Sequence, residues 1–396
     1  MLSKKGMGVS PSPTMLIDAK AKEMISQGLD VIGFGAGEPD FDTPSHIQEA
    51  AIKAINEGHT RYTPAAGTLE LKQAICRKLK TDNALEYDPS QIVVSNGAKH
   101  SLFNSLAALL NPGDEVLIPA PYWVSYPELV KLNDGIPVIV KASKDNNLKV
   151  TAGDLKNALS AKTKALLLNS PSNPTGQVYS KDELKAICDV CCEHNIYVVS
   201  DEIYEKLLYD EAIHYSIASF NEKIKELTIV VNGVSKSYAM TGWRIGYTAS
   251  TAEIAKVMAA IQSHTASNPN SIAQKATLAA LDESQKCVGE MLIAFDERRK
   301  YMCERIKNIP GLDALTPRGT FYLFVDLSGV IGKSFQGKTL EGCDDFAGQL
   351  LESRKVAIVP GSGFGAPNYV RLSFATSMDN IIKGLDRLEA FVNDLQ

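Results

Sequence analysis

Long apolar runs are missing from this 396-residue chain. No stretch approaches the ~20 consecutive apolar positions that a membrane-spanning helix needs, which predicts a protein without a membrane anchor. The opening residues, MLSKKGMGVSPSPT, carry two lysines but then turn to glycine, serine and proline. A secretory leader would show an apolar core of roughly 7–15 residues there, so the expected location is cytoplasmic. Excess positive charge is also missing. The 41 Lys and Arg stand against 46 Asp and Glu, a net charge of −5, and the longest basic run is residues 298–300. Such a balance predicts no face that tracks nucleic acid. Cysteine is scattered and odd in number, seven in all, which suits reduced thiols better than a disulfide framework. Cys188, Cys191 and Cys192 fall on adjacent turns of a predicted helix over 181–194, but no second CxxC or paired histidine completes a four-ligand set. They are read as helix-packing residues, and no metal is expected.

Complete nucleotide-binding fingerprints are absent too. Counting from Gly33 and Gly35, the position for a third dinucleotide-loop glycine holds Glu38, and Pro39 opposes the helix that should follow. The sequence GVIGKS at 329–334 imitates half a phosphate loop, but Leu327 stands where its upstream glycine belongs.

What the chain does have is a rhythm. Hydrophobic residues make up 44% of it, ample for large cores. From about residue 90, short apolar runs at 91–95, 115–119, 138–141, 165–169, 197–201 and 227–231 alternate with helical segments. Runs without in–out alternation, spaced by helices, predict an α/β fold whose parallel sheet is buried on both faces. Ligands bind such sheets at the carboxyl ends of their strands. Ahead of this region the pattern predicts an extended arm, a helix over 15–27, a strand over 29–34 and a helix from 45 to about 57. Behind it lies a long helical region, 251–308, broken near Asn268 and Pro269. A smaller α+β unit follows, with an apolar run at 319–326, a helix over 343–353, strands at 356–359 and 370–374, and a last helix over 378–395.

Most chemically suggestive residues sit at strand ends. Gly97, Ala98 and Lys99 open a helix, where free amides and the helix dipole favour an anion. Trp123 follows a strand and could stack on a flat ring. Asn173 sits in a proline-rich turn, and Asp201 ends a buried strand with Tyr204 one turn on. A buried carboxylate there calls for a cation, such as a protonated pyridine nitrogen. Lys236 lies just past another buried strand, where desolvation and nearby cations can lower its pKa and make the amine a nucleophile. Arg244, close behind, has the fork geometry to hold a phosphate.

The segments GEPDFDTP, NGAKHSLF, PYWVSYPE, NSPSNPTG, SDEIYE, the lysine loop with GWRIGY, and NYVRLSF occur in order along nearly the whole chain. Together they resemble the class I/II pyridoxal-phosphate aminotransferases of the aspartate aminotransferase superfamily, and within it the prokaryotic-type subgroup Ib. The resemblance implies the type I fold of PLP-dependent transferases. Residues 46–300 would be a large PLP-binding domain with a mostly parallel sheet flanked by helices. Residues 1–45 and 301–396 would form a smaller α+β domain with an N-terminal arm. It implies that Lys236 bonds to the cofactor aldehyde and later moves the substrate proton, that Asp201 pairs with the pyridine nitrogen, that Asn173 and Tyr204 bind the 3′ oxygen, and that Trp123 stacks on the ring. Gly97, Ala98, Lys99, Ser235 and Arg244 would surround the phosphate, joined by Tyr62 from the second subunit of a homodimer. Arg371, with Asn173, Trp123 and the Gly37 backbone, would grip the substrate α-carboxylate.

A dicarboxylic substrate needs a further cation. The stretch QSHTASNPN at 262–270 offers no arginine, and the subgroup resembled uses instead a lysine beside the phosphate and a threonine of the arm, here Lys99 with Thr14 and Ser12. The expected reaction is ping-pong transamination between L-aspartate and 2-oxoglutarate, with prephenate as a second acceptor. An aminotransferase for aromatic or neutral amino acids, and a PLP-dependent C–S lyase, stay open as alternatives.

Overall fold

The apolar runs between residues 90 and 235 assemble into a single sheet. In the computed structural model, which describes residues 2–9 and 13–396, seven strands lie side by side. Their spatial order is Ile92–Ser95, Gly246–Ala249, Thr228–Gly233, Tyr197–Asp201, Thr163–Asn169, Glu115–Ala120, Ile136–Lys141. Six run in one direction, as a sheet covered by helices on both faces should. Every residue of Ile92–Ser95 and of Thr228–Gly233 is buried.

The seventh strand makes the sheet mostly rather than wholly parallel, as the family resemblance implied. Gly246–Ala249 is antiparallel to both of its neighbours. Only four residues long and opening on glycine, it has too little pattern to read as a strand. The glycine is required because a Cβ at Gly246 would run into the Gly97–Ala98 backbone.

Helix boundaries follow local chemistry. Ser180 and Glu183 form a reciprocal cap on Lys181–His194, which carries the three clustered cysteines. The helical region after the sheet breaks twice, into Ala252–Thr265, Ser271–Asp282 and Lys286–Lys307. Pro269 and the Asn270 cap account for the first break. At the second, the Gln285 side chain donates to the carbonyls of Ala280 and Glu283, serving the end of the preceding helix.

Lys286–Lys307 leads into a second, four-stranded antiparallel sheet ordered Val359–Pro360, Tyr369–Ser373, Tyr322–Asp326, Asp313–Ala314. Met291, Phe295, Met302 and Ile306 of the helix pack in one cluster with Phe321, Leu323 and Phe374. Ile32 and Phe34 join that cluster, so the early part of the chain is stitched to its end. The strand expected at 29–34 is only Ile32–Gly33, paired in parallel with Val356–Ala357, while Leu29 faces solvent. The run expected as one strand at 356–359 splits, since Val356–Ala357 and Val359–Pro360 pair with different partners.

Candidate active site

A cavity of about 580 Å³ opens at the carboxyl ends of the parallel strands. Asn169 and Asp201 reach it from the last positions of their strands, and Ser235 and Lys236 from the loop after Thr228–Gly233. Ala98 and Lys99 reach it from the start of the helix Ala98–Leu109. From the other sheet Tyr322 and Arg371 close the far wall, and Gly35, Ala36, Gly37 and Glu38 form a rim.

Lys236 lines the cavity with a perturbed amine. Burial lowers its pKa from 10.5 to about 8; the nearby Glu38 opposes this, while Arg371 and Arg244 push the same way. Its Nζ donates to the Gly37 carbonyl. Asp201 moves in the opposite sense: burial raises its pKa from 3.8 to about 6, despite hydrogen bonds that favour its charge. Those bonds come from the Tyr126 hydroxyl at 2.7 Å and the Ile203 amide at 3.3 Å, both neutral donors.

Arg371, on Tyr369–Ser373, is held flat. Its Nη1 donates to Asn173 Oδ1 at 3.1 Å and its Nη2 to the Gly35 carbonyl at 2.9 Å. The guanidinium lies 4.2 Å from the centre of the Tyr322 ring, and its buried Nε has no partner among the described residues. Asn173 is itself fixed through its amide, which donates to Asn169 Oδ1 at 2.8 Å. The Tyr204 hydroxyl meets that of Tyr322 at 3.0 Å.

Arg244 and Gly97 adjoin so closely that a Cβ on Gly97, whose φ is +85°, would collide with the guanidinium. Trp123 stands just before the helix Ser125–Leu132. Lys99 Nζ sits 4.8 Å from the centre of its ring. Burial first, and then Arg244, hold the Lys99 amine below its ordinary pKa.

These contacts bring together Lys236, Asp201, Tyr204, Asn173, Arg371, Gly37, Ala98, Lys99, Trp123, Ser235 and Arg244 in one cavity, with Gly97 against Arg244. Tyr62 stands apart, 92% exposed on the outer surface. Thr14 lies in the helix Pro13–Ser26, and Ser12 is outside the described residues.

The sequence profile described as aminotransferase class I and II matches residues 29–388. The chain belongs to the class I and II aminotransferases. The aspartate aminotransferase of Bacillus sp. strain YM-2 is 50% identical over 392 residues, covering 99% of each chain. A probable aspartate/prephenate aminotransferase of Aquifex aeolicus is 47% identical over 100% of this chain and 99% of its own. The crystal structure of the aspartate aminotransferase from Rhizobium meliloti superposes with a TM-score of 0.97 at 41% identity, over the whole of both chains.

In this aminotransferase the cavity also holds polar residues that the strand-end reading passed over. Tyr126 grips Asp201, and Tyr322 touches both Tyr204 and Arg371. Glu38 accepts from Thr241 Oγ1 at 2.7 Å, and Lys22 enters from the arm helix. Tyr126 had a signal, three residues beyond Trp123; Lys22 had none. Glu202, Glu205 and His214, behind Asp201, lie close enough to share a metal ion, but Lys78 already pairs with Glu205 there.

Proposed function

We propose that this aminotransferase uses pyridoxal 5′-phosphate to transfer the amino group of L-aspartate to 2-oxoglutarate, yielding oxaloacetate and L-glutamate. The observation that carries the reading is a single cavity in which a lysine with pKa about 8 is accompanied by a pinned arginine, Arg371, and a further lysine, Lys99. Relatives at 47–50% identity carry names that match it.

The donor set suits the cofactor. Amides at the start of Ala98–Leu109, the Arg244 guanidinium and Ser235 form a cradle for a dianion, too narrow at Gly97 for any side chain. Asp201, buried and met only by neutral donors, would drop back toward its ordinary pKa beside a protonated ring nitrogen. Tyr204 and Asn173 offer neutral polar groups for a ring oxygen, and Trp123 offers a face for the ring. When bound, pyridoxal phosphate supplies the electron sink for charge released at the substrate Cα.

The chain's own residues do the rest. The Arg371 fork, whose Nε has no partner among the described residues, takes the α-carboxylate and fixes the orientation of the Cα–H bond. Lys236 Nζ, basic near neutral pH, would take the proton from the substrate Cα and hold it for the transfer that completes the half-reaction. Lys99, together with Thr14 and Ser12 of the arm, takes the distal carboxylate. Both half-reactions use the same groups, so initial-rate plots should be parallel, as for ping-pong kinetics. The aspartate/prephenate name of the Aquifex relative supports prephenate as a second acceptor.

The proposal extends to organisation. Residues 46–300 form a large cofactor-binding unit, and residues 1–45 with 301–396 a smaller one. The enzyme works in the cytoplasm as a homodimer in which Tyr62 reaches the phosphate of the second copy. No helix among the described residues is long and apolar enough to cross a membrane.

Lys99→Ala tests the substrate. Loss of a charge-assisted bond of about 1.5–3 kcal/mol should raise KM for aspartate roughly 10- to 100-fold and leave that for alanine nearly unchanged. Equal effects on both amino acids would remove the dicarboxylate assignment.

A further inference from the structure

Two of the most deeply buried polar side chains, Gln262 (0% exposed) and Gln274 (1%), tie a surface segment to the interior. Residues 60–68 form no helix or strand. Gln274, on Ser271–Asp282, donates from Nε2 to Thr63 Oγ1 at 3.1 Å and to the Pro269 carbonyl at 2.9 Å. Its Oε1 accepts from the Thr68 amide at 2.9 Å. Gln262, on Ala252–Thr265, donates to the carbonyls of Ala65 at 2.6 Å and Val94 at 2.8 Å. Its Oε1 accepts from Ser95 Oγ at 2.6 Å and Asn104 Nδ2 at 2.9 Å. The Val94 amide donates to the Ala66 carbonyl at 3.0 Å.

Positions 63, 65, 66 and 68 are thus tied from inside, while Tyr62 at the outer end stays 92% exposed. Burying two long amides carries a desolvation and side-chain entropy penalty that a loose surface turn would not require. The bonds to Thr63, Ala65 and Thr68 give the backbone beside Tyr62 a fixed course before any second copy arrives. Gln262 also grips Ser95, two residues ahead of Gly97, so this course is registered against the chain's own anion loop.

We infer that Gln262 and Gln274 are positioning residues that clamp residues 63–68, presenting Tyr62 in a set orientation to the cofactor phosphate bound by a second copy of this chain. The inference rests on the reading of Tyr62 given above. Because the clamp acts through Tyr62 on the phosphate, its loss weakens binding of a phosphorylated cofactor and spares an unphosphorylated one.

The test is equilibrium binding, followed by absorbance, of pyridoxal 5′-phosphate and of pyridoxal to cofactor-free full-length protein. The variants are Tyr62→Phe, Gln274→Leu, Thr63→Val and the double variant Tyr62→Phe/Thr63→Val. Thr63→Val removes the acceptor of the Gln274 bond, together with a long 3.5 Å bond from the Thr63 hydroxyl to the Pro64 carbonyl, and it answers the question even where Gln274→Leu fails to fold. Each single variant should weaken pyridoxal 5′-phosphate binding roughly 3- to 10-fold, about one hydrogen bond. The double variant should bind no worse than Tyr62→Phe, and pyridoxal affinity should be the same throughout. Multiplying effects in the double variant, an equal loss for pyridoxal, or unchanged phosphate-ester affinity in Thr63→Val would each overturn the clamp. Unchanged affinity in Tyr62→Phe would strike the reading of Tyr62 itself.

Discussion

Asp201→Asn should stabilise the cofactor-free protein at neutral pH and destabilise the loaded one. The Asp201 carboxyl is 4% exposed, and burial lifts its pKa from 3.8 to about 6. A folded-state pKa above the unfolded value means that keeping the group ionised works against folding. The sign follows directly: below pH ~3.8 the penalty is absent, it grows as pH rises toward 6, and above 6 it stays at its full value of about 3 kcal/mol. Asparagine removes the charge. It keeps an acceptor for the Tyr126 hydroxyl but turns an NH2 toward the Ile203 amide, a mismatch of about 1 kcal/mol. The net gain is about 2 kcal/mol, a few degrees in thermal midpoint. Scanning calorimetry of cofactor-free parent and variant between pH 5 and 8 should show the variant ahead at pH 8, with the gap closing toward pH 5. Saturating pyridoxal phosphate should reverse the order at pH 8, because the ring nitrogen loses its counter-charge. A cofactor-free variant that melts below the parent at pH 8, or a gap indifferent to pH, would refute the account of Asp201.

Three further outcomes follow from other parts of the site. Reductive labelling of cofactor-free protein with pyridoxal phosphate should mark Lys236 first, at a rate rising through pH ~8; at that pH its neutral fraction exceeds that of an ordinary lysine by roughly 10²-fold, and peptide mapping reads the selectivity. Tyr126→Phe removes a bond that favours the charged form of Asp201, pushes that carboxyl's pKa further up, and should weaken cofactor binding roughly 10-fold by equilibrium titration. Glu205 is buried, yet Lys78, His214 and Asn83 hold its pKa down to about 2. Lys78→Met strands that charge and should lower stability by about 3–5 kcal/mol in urea unfolding, whereas Lys78→Met/Glu205→Leu should recover most of the loss.

Much of the fold was legible because buried parallel strands announce themselves: 165–169 and 197–201 are apolar runs flanked by helical patterns, and their ends carry Asn169 and Asp201. What stayed hidden depends on partners distant in sequence. Gly246–Ala249 is a strand only because two others flank it, and Ile32–Gly33 is cut short by what Val356–Ala357 can reach. The same distinction holds in the cavity. Lys236 and Asp201 sit where local pattern puts chemistry, and the ordered motifs extended the reading to Arg371. Tyr322 acquires its significance from Tyr204, 118 positions earlier, and from Arg371 across a strand pair. No window of sequence contains that meeting.

The antiparallel insertion has a bearing on biogenesis. Ile92–Ser95 lies at an edge of the large sheet, and its neighbour there is Gly246–Ala249. A chain emerging from the ribosome therefore carries the loop at Gly97–Lys99 for some 150 residues of translation before the strand that docks it exists, and contacts of such separation form slowly. Nascent chains halted before residue 246 should leave that edge unzipped and unable to retain pyridoxal phosphate, so cofactor capture waits at least until that strand has been made.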